Sequence, residues 1–287
     1  MHDLLYRFTF ENFAVRGEIV ALRASWRAIA EHRAYAAAER DYLGQAMAAA
    51  SLLSGTIKFA GSLILQLQGQ GPLRTLVAQA THRRTIRGMA HAEGKVPADD
   101  FAAALGEGRM VLTAEAPNGE SYQGIVALEA SSLAAVIERY FEQSEQLPTR
   151  VWLAADSQVA AGLFLQRLPG QGVNDEDWQR VCLLAETLSD EELLEVPPKV
   201  LLQRLFHEED LRLYAGEPVA FRCNCSRDRV ASTLRGLGQA EVEQIISERG
   251  SVEVDCEFCK AHYRFDAVDA VALFSDAPAS DSPGAHH

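Results

Sequence analysis

The sequence predicts an α+β protein in three parts: a core domain of mixed strands and helices, a helical linker and a small C-terminal domain. Strand-like and helix-like patterns alternate through residues 1–170 without a repeating strand–helix unit, which favours α+β over a doubly wound parallel sheet. Composition changes at the Pro- and Gly-rich run 168–172, where an acidic stretch begins. We therefore divide the chain into a core domain at 1–170, a linker at 171–222 and a C-terminal domain at 223–287.

The strands of the core domain are predicted from runs of apolar and β-branched residues, some with strict alternation. In residues 56–68, apolar side chains recur at every second position from 57 onward, with one break. Gly69-Gln70-Gly71-Pro72 is predicted to be a turn rather than a phosphate-binding loop, because no Lys-Ser/Thr pair follows it. The predicted strands are residues 5–10, 17–22, 56–68, 73–78, 110–114, 122–128 and 162–167.

Three helices are predicted between these strands. Residues 39–53 are rich in Ala, Leu and Met, and residues 98–105 follow Pro97, a favourable first-turn residue. Ser131 or Ser132 can cap a third helix at 133–144. The apolar face of this third helix consists of Val136, Ile137, Tyr140 and Phe141.

Charge and hydropathy limit the classes of partner. The formal net charge is −13 and the pI is about 5.1, which disfavours a protein whose main partner is a phosphate backbone. The N-terminus lacks a basic stretch followed by an apolar run, and no apolar run approaches the ~20 residues of a membrane helix. We expect a cytoplasmic protein with no nucleic-acid or membrane partner.

The predicted linker is strongly acidic. Residues 171–210 contain eleven acidic and three basic residues, so helices there need docking against another surface to be stable. Trp178, Val181, Cys182, Ala185 and Leu188 form a possible docking stripe. A permanently packed amphipathic helix is the simpler interpretation of this pattern. Cys182 is assigned to packing, because free cysteine is commonly buried.

The other four cysteines form two close pairs in the C-terminal domain, Cys223/Cys225 and Cys256/Cys259. The residues between the pairs predict two helices, a helix end at Gly250 and a hairpin that presents the second pair near its turn. These helices are residues 227–237 and 240–248, and the hairpin strands are 251–255 and 261–265. Four soft ligands in so small a domain predict tetrahedral Zn²⁺. His262 is a possible substitute ligand, but a position at the surface or next to the ligands is favoured, because four cysteines already complete the shell.

A zinc site of this kind has two interpretations. The domain of about 60 residues is too small to gain much stability from its core, so metal binding would supply much of its folding energy. An inert structural zinc ribbon is one possibility. A redox sensor is the other, because disulfide formation at these thiolates would remove the metal ligands and unfold the domain.

Several sequence motifs resemble those of the thirty-three-kilodalton redox-regulated heat-shock chaperone family of the bacterial cytosol. The resemblance covers nearly the whole chain. The motifs are RFTFEN (7–12), VRGE (15–18), GQGPL (69–73), YQGIV (122–126), YFEQSEQLPTR (140–150), LFHEE (205–209), CNCS (223–226) and CEFC (256–259).

The resemblance implies a core domain, a wrapping linker and a C-terminal zinc-binding redox-switch domain. It implies that the reduced, zinc-bound protein is inactive, and that oxidation pairs Cys223 with Cys225 and Cys256 with Cys259. The oxidised protein would then be a homodimer that holds unfolding client proteins without ATP. The apolar linker residues that we expect to contact clients are Trp178, Leu183, Leu184, Leu193, Leu194 and Leu201.

Two other functions are alternatives to a redox-activated holdase. A zinc-ribbon nucleic-acid module is disfavoured because residues 222–264 contain seven basic and seven acidic residues, which offers no electropositive face. A thiol–disulfide oxidoreductase would use Cys256 and Cys259, but such a pair normally begins a helix rather than a hairpin turn. Because no other catalytic motif is present, we expect that the protein is not an enzyme.

Overall fold

A computed structural model describes residues 3–56, 60–169 and 175–275. The chain forms two compact units, Met1–Arg222 and Cys223–His287. The first unit thus contains the predicted linker as well as the predicted core domain. The three-part division made from the sequence stays a prediction.

The first unit is built on one large, curled sheet of eleven strands. Its strands are β1 (Asp3–Phe10), β2 (Val15–Leu22), β3 (Ser62–Gly69), β4 (Leu73–Thr81), β5 (Thr85–Ala92), β6 (Gly108–Glu115), β7 (Ser121–Ala127), β8 (Thr149–Ala155), β9 (Ala160–Arg167), β10 (Leu211–Leu213) and β11 (Glu217–Phe221). Their order is β7-β6-β3-β4-β5-β11-β1-β2-β9-β8, and β10 pairs with β1. Every pairing is antiparallel except that of β11 with β5.

The helices of this unit are α1 (Ala24–Ala30), α2 (Ala37–Ser54), α3 (Phe101–Leu105), α4 (Leu133–Tyr140), α5 (Asp175–Ala185), α6 (Asp190–Glu195) and α7 (Pro198–Leu205). Helix α2 is apolar nearly all round, so it lies inside the main core with Leu43, Met47 and Leu52 fully buried. The alternation of β3 places Leu63, Leu65 and Leu67 in the same core. The α+β class predicted from the sequence is confirmed.

Some element boundaries were predicted wrongly. Strand β3 begins at Ser62 rather than at 56, because Thr56 lies in the turn that follows α2; residues 57–59 lie outside the described residues. Helix α3 begins only at Phe101, because the side chain of Asp100 accepts a hydrogen bond from the Ala103 amide and caps it there. The predicted helix at 133–144 has its Ser132 cap, but it changes into a π-helical turn at Phe141–Glu145.

The second unit is small and contains the four paired cysteines. Its elements are α8 (Arg227–Leu237), α9 (Gln239–Arg249), β12 (Val252–Asp255), β13 (His262–Phe265) and α10 (Ala267–Ser275). Gly250 ends α9 in the left-handed conformation at φ +80°, as the sequence predicts. Strands β12 and β13 form the predicted antiparallel hairpin. Among residues 223–275, the core of this unit has seven buried residues: Ala231, Leu234, Val242, Val252, Phe265, Ala270 and Leu273.

Candidate metal centre

The first pair of cysteines lies on the segment that enters α8. Cys223 and Cys225 precede Ser226, whose side chain accepts a hydrogen bond from the Arg229 amide and caps the helix. The cap fixes where the helix begins, so both cysteines stay in the irregular segment before it. They can therefore project their sulfurs toward a common point.

The second pair lies in the turn of the β12–β13 hairpin. The Cys256 amide donates to the Ala261 carbonyl at 2.9 Å, and the Lys260 amide donates to the Cys256 carbonyl at 2.8 Å. Lys260 closes the turn with a left-handed backbone at φ 56°. This geometry folds the chain back between Cys256 and Cys259, so that both thiols lie on one side of the turn.

The four sulfurs meet in one cluster. The Sγ atoms of Cys223, Cys225, Cys256 and Cys259 all lie within 4.8 Å of one another. The Cys223–Cys256 sulfur distance is 3.7 Å and the Cys225–Cys259 distance is 3.3 Å. Four sulfurs around a tetrahedral ion with bonds of about 2.3 Å would lie about 3.8 Å apart. The cluster therefore fits a metal ion with four thiolate ligands.

The protonation state of the four thiols depends on whether a cation is bound between the sulfurs. Burial, together with hydrogen bonds with the other thiols, raises the pKa of the Cys259 thiol to about 12. The Tyr263 hydroxyl donates to the Cys225 sulfur at 3.1 Å, and this bond raises the pKa of Tyr263 to about 12. A bound cation would reverse the effect on the thiols, because it stabilises thiolate over thiol.

His262 lies outside the four-sulfur cluster. Its Nδ1 is 2.8 Å from the Asp255 carboxylate, directly across the hairpin. This contact orients the imidazole toward a surface carboxylate rather than toward the sulfurs. The cysteines alone make up the group of possible metal ligands among the described residues.

One arginine ties the elements of the small unit together. The Arg227 guanidinium lies 4.2 Å from the centroid of the Phe265 ring and pairs with Asp269 at 2.7 Å. It also donates to the Arg264 carbonyl at 2.7 Å. The hairpin, α8 and α10 are thus joined at one point beside the cysteine-bearing segments.

The predicted linker helices pack on one face of the sheet in the first unit. Under α5, α6 and α7 lies an apolar surface formed by Tyr6, Phe8, Phe10, Phe13, Val15, Ile19, Leu163 and Leu165. Leu193 and Leu201 are buried against this surface, and Trp178, Leu184 and Leu194 are partly buried there. Leu183 differs, because 64% of its surface is exposed. Five of the six predicted client-contact residues are therefore covered in this state.

Arginines on the strands and loops of the core meet the acidic linker. Arg150 on β8 pairs with Glu186 at 3.2 Å, and Arg167 on β9 pairs with Asp175 at 2.7 Å. Arg23 donates to the Leu194 carbonyl at 2.8 Å. Such exposed contacts are individually weak, so the docking depends mainly on the apolar surface below. None of these partners was predicted; Arg23 and Leu194 are 171 residues apart in sequence, whereas Arg167 and Asp175 are only eight apart.

Cys182 is set apart from the other cysteines. It lies on the buried side of α5 with 6% of its surface exposed, in agreement with the packing role expected for it. Burial raises the pKa of its thiol to about 11, against the opposing effect of the neighbouring Arg150 guanidinium. An unreactive, protonated thiol is the result.

Comparison with known proteins identifies the family of the chain. The family model described as Hsp33 protein matches residues 3–266. The chain belongs to the Hsp33 family. It is 53% identical over 274 residues to the 33 kDa chaperonin of Nitrosococcus oceani, a match that covers 96% of this chain and 95% of that protein. It is 43% identical to the 33 kDa chaperonin of Shewanella sp. strain MR-4, over 98% of this chain and 99% of the relative.

The fold agrees with that of a solved Hsp33. The crystal structure of the 33 kDa chaperonin from Thermotoga maritima matches with a TM-score of 0.84 and 25% identity, over 95% of this chain and 98% of the other. Hsp33 proteins are chaperones and not enzymes, and a chaperone family implies binding of client proteins. Among the residues that the structure describes, none of the helices combines the length and apolarity needed to cross a membrane.

Proposed function

We propose that this Hsp33 is a redox-regulated, ATP-independent holdase, inactive when reduced and metal-bound, and activated when its cysteine cluster is oxidised. The observation that carries the proposal is the four-sulfur cluster in a unit whose described residues include only seven buried core residues. A core of that size supplies little stability by itself. Chemistry at the sulfurs would then change the folding of the unit.

The metal that we propose is Zn²⁺. Thiolate ligands in a closed tetrahedral set are typical of structural zinc sites, and the spacing of the four sulfurs fits that geometry. When bound, zinc would hold the four sulfurs as thiolates and contribute to the folding free energy of the unit. The protein brings the ligands together by placing the segment before α8 next to the turn of the β12–β13 hairpin. Local hydrogen bonds hold both segments.

Activation is proposed to be a four-electron oxidation of the cluster. Two molecules of hydrogen peroxide and four protons would convert four thiolates into two disulfides and four molecules of water. In each step a thiolate attacks a peroxide oxygen, and the resulting sulfenic acid reacts with its neighbour to release water. We propose that Cys223 pairs with Cys225 and Cys256 with Cys259. Disulfide sulfurs no longer bind the ion, so the unit would lose its metal and unfold.

Loss of the folded unit is proposed to release the linker. The acidic helices depend on docking, and their apolar residues are the ones now buried on the sheet. Release would expose Leu193, Leu201 and their neighbours to unfolding clients. We propose that the active form is a homodimer and that it acts in the cytoplasm, where unpaired cysteines are usual.

The structure gives less support to an oxidoreductase. Cys256 and Cys259 lie in a hairpin turn, whereas a catalytic pair of this spacing gains reactivity from a helix N-terminus. Both cysteines also share their site with two further thiols, which suits metal binding.

The decisive experiment follows zinc and client together. Peroxide is added to the reduced, zinc-loaded protein at mildly elevated temperature, zinc is measured with a chromogenic chelator, and aggregation of citrate synthase is followed by light scattering. Cys259→Ser and Cys182→Ser serve as a matched pair, since each removes one thiol. We expect wild type and Cys182→Ser to suppress aggregation only when peroxide has released their zinc. We expect Cys259→Ser to suppress aggregation to the same extent with and without peroxide. Unchanged aggregation after complete zinc release would refute the proposal.

A further inference from the structure

The large sheet has two edges that differ in how they are covered. At one end, β8 presents the Val151 amide outward, and the Glu138 carboxylate of α4 accepts its hydrogen bond at 2.8 Å. At the other end lies β7, which among the described strands pairs only with β6. Within the described ranges, no backbone or side-chain hydrogen bond reaches the outer side of β7. This side is therefore an open strand edge.

The register shows which groups of β7 point away from the sheet. The Ala116 amide donates to the Glu120 carbonyl, and the Leu128 amide donates to the Gly108 carbonyl. Because bonded pairs alternate along an antiparallel ladder, Tyr122, Gly124 and Val126 bond to β6. The residues between them turn their amide and carbonyl groups outward. These are Ser121, Gln123, Ile125 and Ala127.

Helix α4 packs against β7, where the Tyr140 ring lies beside Gly124, but the outward residues of the strand remain exposed. The strand itself lacks the features that normally block strand pairing. Its sequence, SYQGIVA, contains no charged residue and no proline, and its pairing with β6 runs through seven consecutive residues without a bulge. Natural sheets usually protect such an edge with lysine, proline, a bulge or a covering element. Tyr122 and Ile125 are also 58% and 60% exposed. The edge is thus uncharged, regular and partly apolar.

We propose that β7 binds extended segments of unfolded client chains by strand addition, next to the contacts that a released linker supplies. The inference rests on the proposed holdase function. Strand addition recognises the backbone, which every unfolded chain carries, and therefore suits a chaperone with varied clients. Ile125 adds an apolar contact on the outer face, and the absence of charge imposes little sequence selection.

A second copy of the chain fits this edge less well. Seven residues span about 23 Å at ~3.3 Å per residue, and a single added strand buries far less than the ~1,200 Å² of a stable interface. A flexible client avoids this limit, because it can contact the linker and the edge together.

The open edge is compatible with an inactive reduced state. One strand pairing is weak alone, and its contribution becomes large only when another part of the same client is already bound. Linker release would supply that first contact. Oxidation would then control client binding even though β7 is exposed throughout.

Hydrogen exchange read at single amides tests the proposal on the oxidised, full-length protein. Unfolded citrate synthase, diluted from denaturant, is the client probe. We expect exchange at Gln123 and Ile125 to slow at least ~10-fold with client, while Tyr122 and Gly124 are slow with or without it. Suppressed aggregation with unchanged exchange at Gln123 and Ile125 would overturn the proposal. Protection that rises with protein concentration without client would also overturn it, in favour of a second copy.

Substitutions give an independent test. Gln123→Pro removes an outward amide without touching the β6 ladder, and Ile125→Lys places a charge at the edge. Gln66→Lys is the control, because it lies on the same outer face but on β3 inside the sheet. We expect both edge variants to need about 3- to 10-fold more chaperone for half-maximal protection, with normal zinc release, and the control to match wild type. If both edge variants and the control protect the client as well as wild type does, β7 is not a client-binding site. If wild type itself fails to protect the client after zinc release, the proposed holdase function is refuted.

Discussion

Truncation of Leu201 tests whether linker docking keeps the reduced protein inactive. Leu201 lies on α7 with 2% of its surface exposed, inside the apolar cluster between the linker helices and the sheet. Replacing a buried leucine by alanine costs about 2–5 kcal/mol, from lost burial and the cavity that remains. The exposed control is Leu183→Ala on α5, where 64% of the side chain already faces solvent.

The size of this cost decides the outcome. A linker docked in 99 of 100 molecules is held by about 2.7 kcal/mol. Loss of ~2 kcal/mol would raise the undocked share from about 1% to about 20%, and loss of ~5 kcal/mol would make undocking nearly complete. We therefore expect reduced, zinc-loaded Leu201→Ala to suppress client aggregation without peroxide, and Leu183→Ala to stay inactive.

The assay combines light scattering of citrate synthase with limited proteolysis of residues 175–210, both under reducing conditions. Zinc is counted in the same samples, so that activation by metal loss is recognised. If Leu201→Ala exposes the linker to protease but does not protect the client, the linker is not the switched surface. If the linker stays resistant to protease and the protein stays inactive, Leu201 does not contribute the expected share of the docking free energy.

Three further outcomes are expected. Removal of metal by a chelator under reducing conditions should unfold residues 223–275. Circular dichroism and calorimetry should show that the first unit keeps its ellipticity and its thermal transition. A second unit that stays folded would contradict the structural role of the metal. Tyr263→Phe should weaken zinc binding by ~10-fold in chelator competition, because the bond from its hydroxyl to Cys225 is lost, and unchanged affinity would contradict this role. Burial raises the pKa of Glu18 to about 8, so the folded state keeps a proton that the unfolded state loses above pH ~4.5, and stability falls as pH rises toward 8. Glu18→Gln should remove this loss and stabilise the first unit by a few kcal/mol near pH 8 but little near pH 4, and equal melting curves for both proteins at pH 8 would contradict it.

The C-terminal unit was predicted well because its signals are local. The cysteine spacing indicated the ligands, and Gly250 and the flanking alternation indicated the helix end and the hairpin. Helix α10 was missed, although Asp266 caps it by accepting hydrogen bonds from the amides of Val268 and Asp269. That pattern of an acidic cap before an apolar run could have identified it.

The first unit shows where local signals fail. Strand β5, with the sequence TIRGMAHA, was missed because glycine and alanine on its inner face hide the alternation of its apolar side chains. Strand β11 was missed because it is short and owes its place to parallel pairing with β5, more than 120 residues earlier in the chain. The contact between Arg23 and the Leu194 carbonyl escaped prediction for the same reason, since these residues are 171 positions apart.

The hydrogen bonds around the sulfur cluster could not be predicted from the sequence. The spacing of the cysteines predicted four ligands but not the hydrogen bond from Tyr263 to Cys225. It allowed His262 as a substitute ligand while favouring a place outside the metal shell, and the structure adds its contact with Asp255 across the hairpin. The bond from Tyr263 depends on how the hairpin packs against the segment before α8, which the sequence does not indicate.

Zinc and free thiols, counted per chain before and after peroxide, give the most direct test of the account. The reduced protein should carry one zinc ion and five free thiols, four in the cluster and one at Cys182. After oxidation the zinc should be in solution and one thiol should remain, at the same time as client protection appears. A reduced protein without bound metal, or client protection that precedes the loss of zinc and thiols, would contradict the central claim.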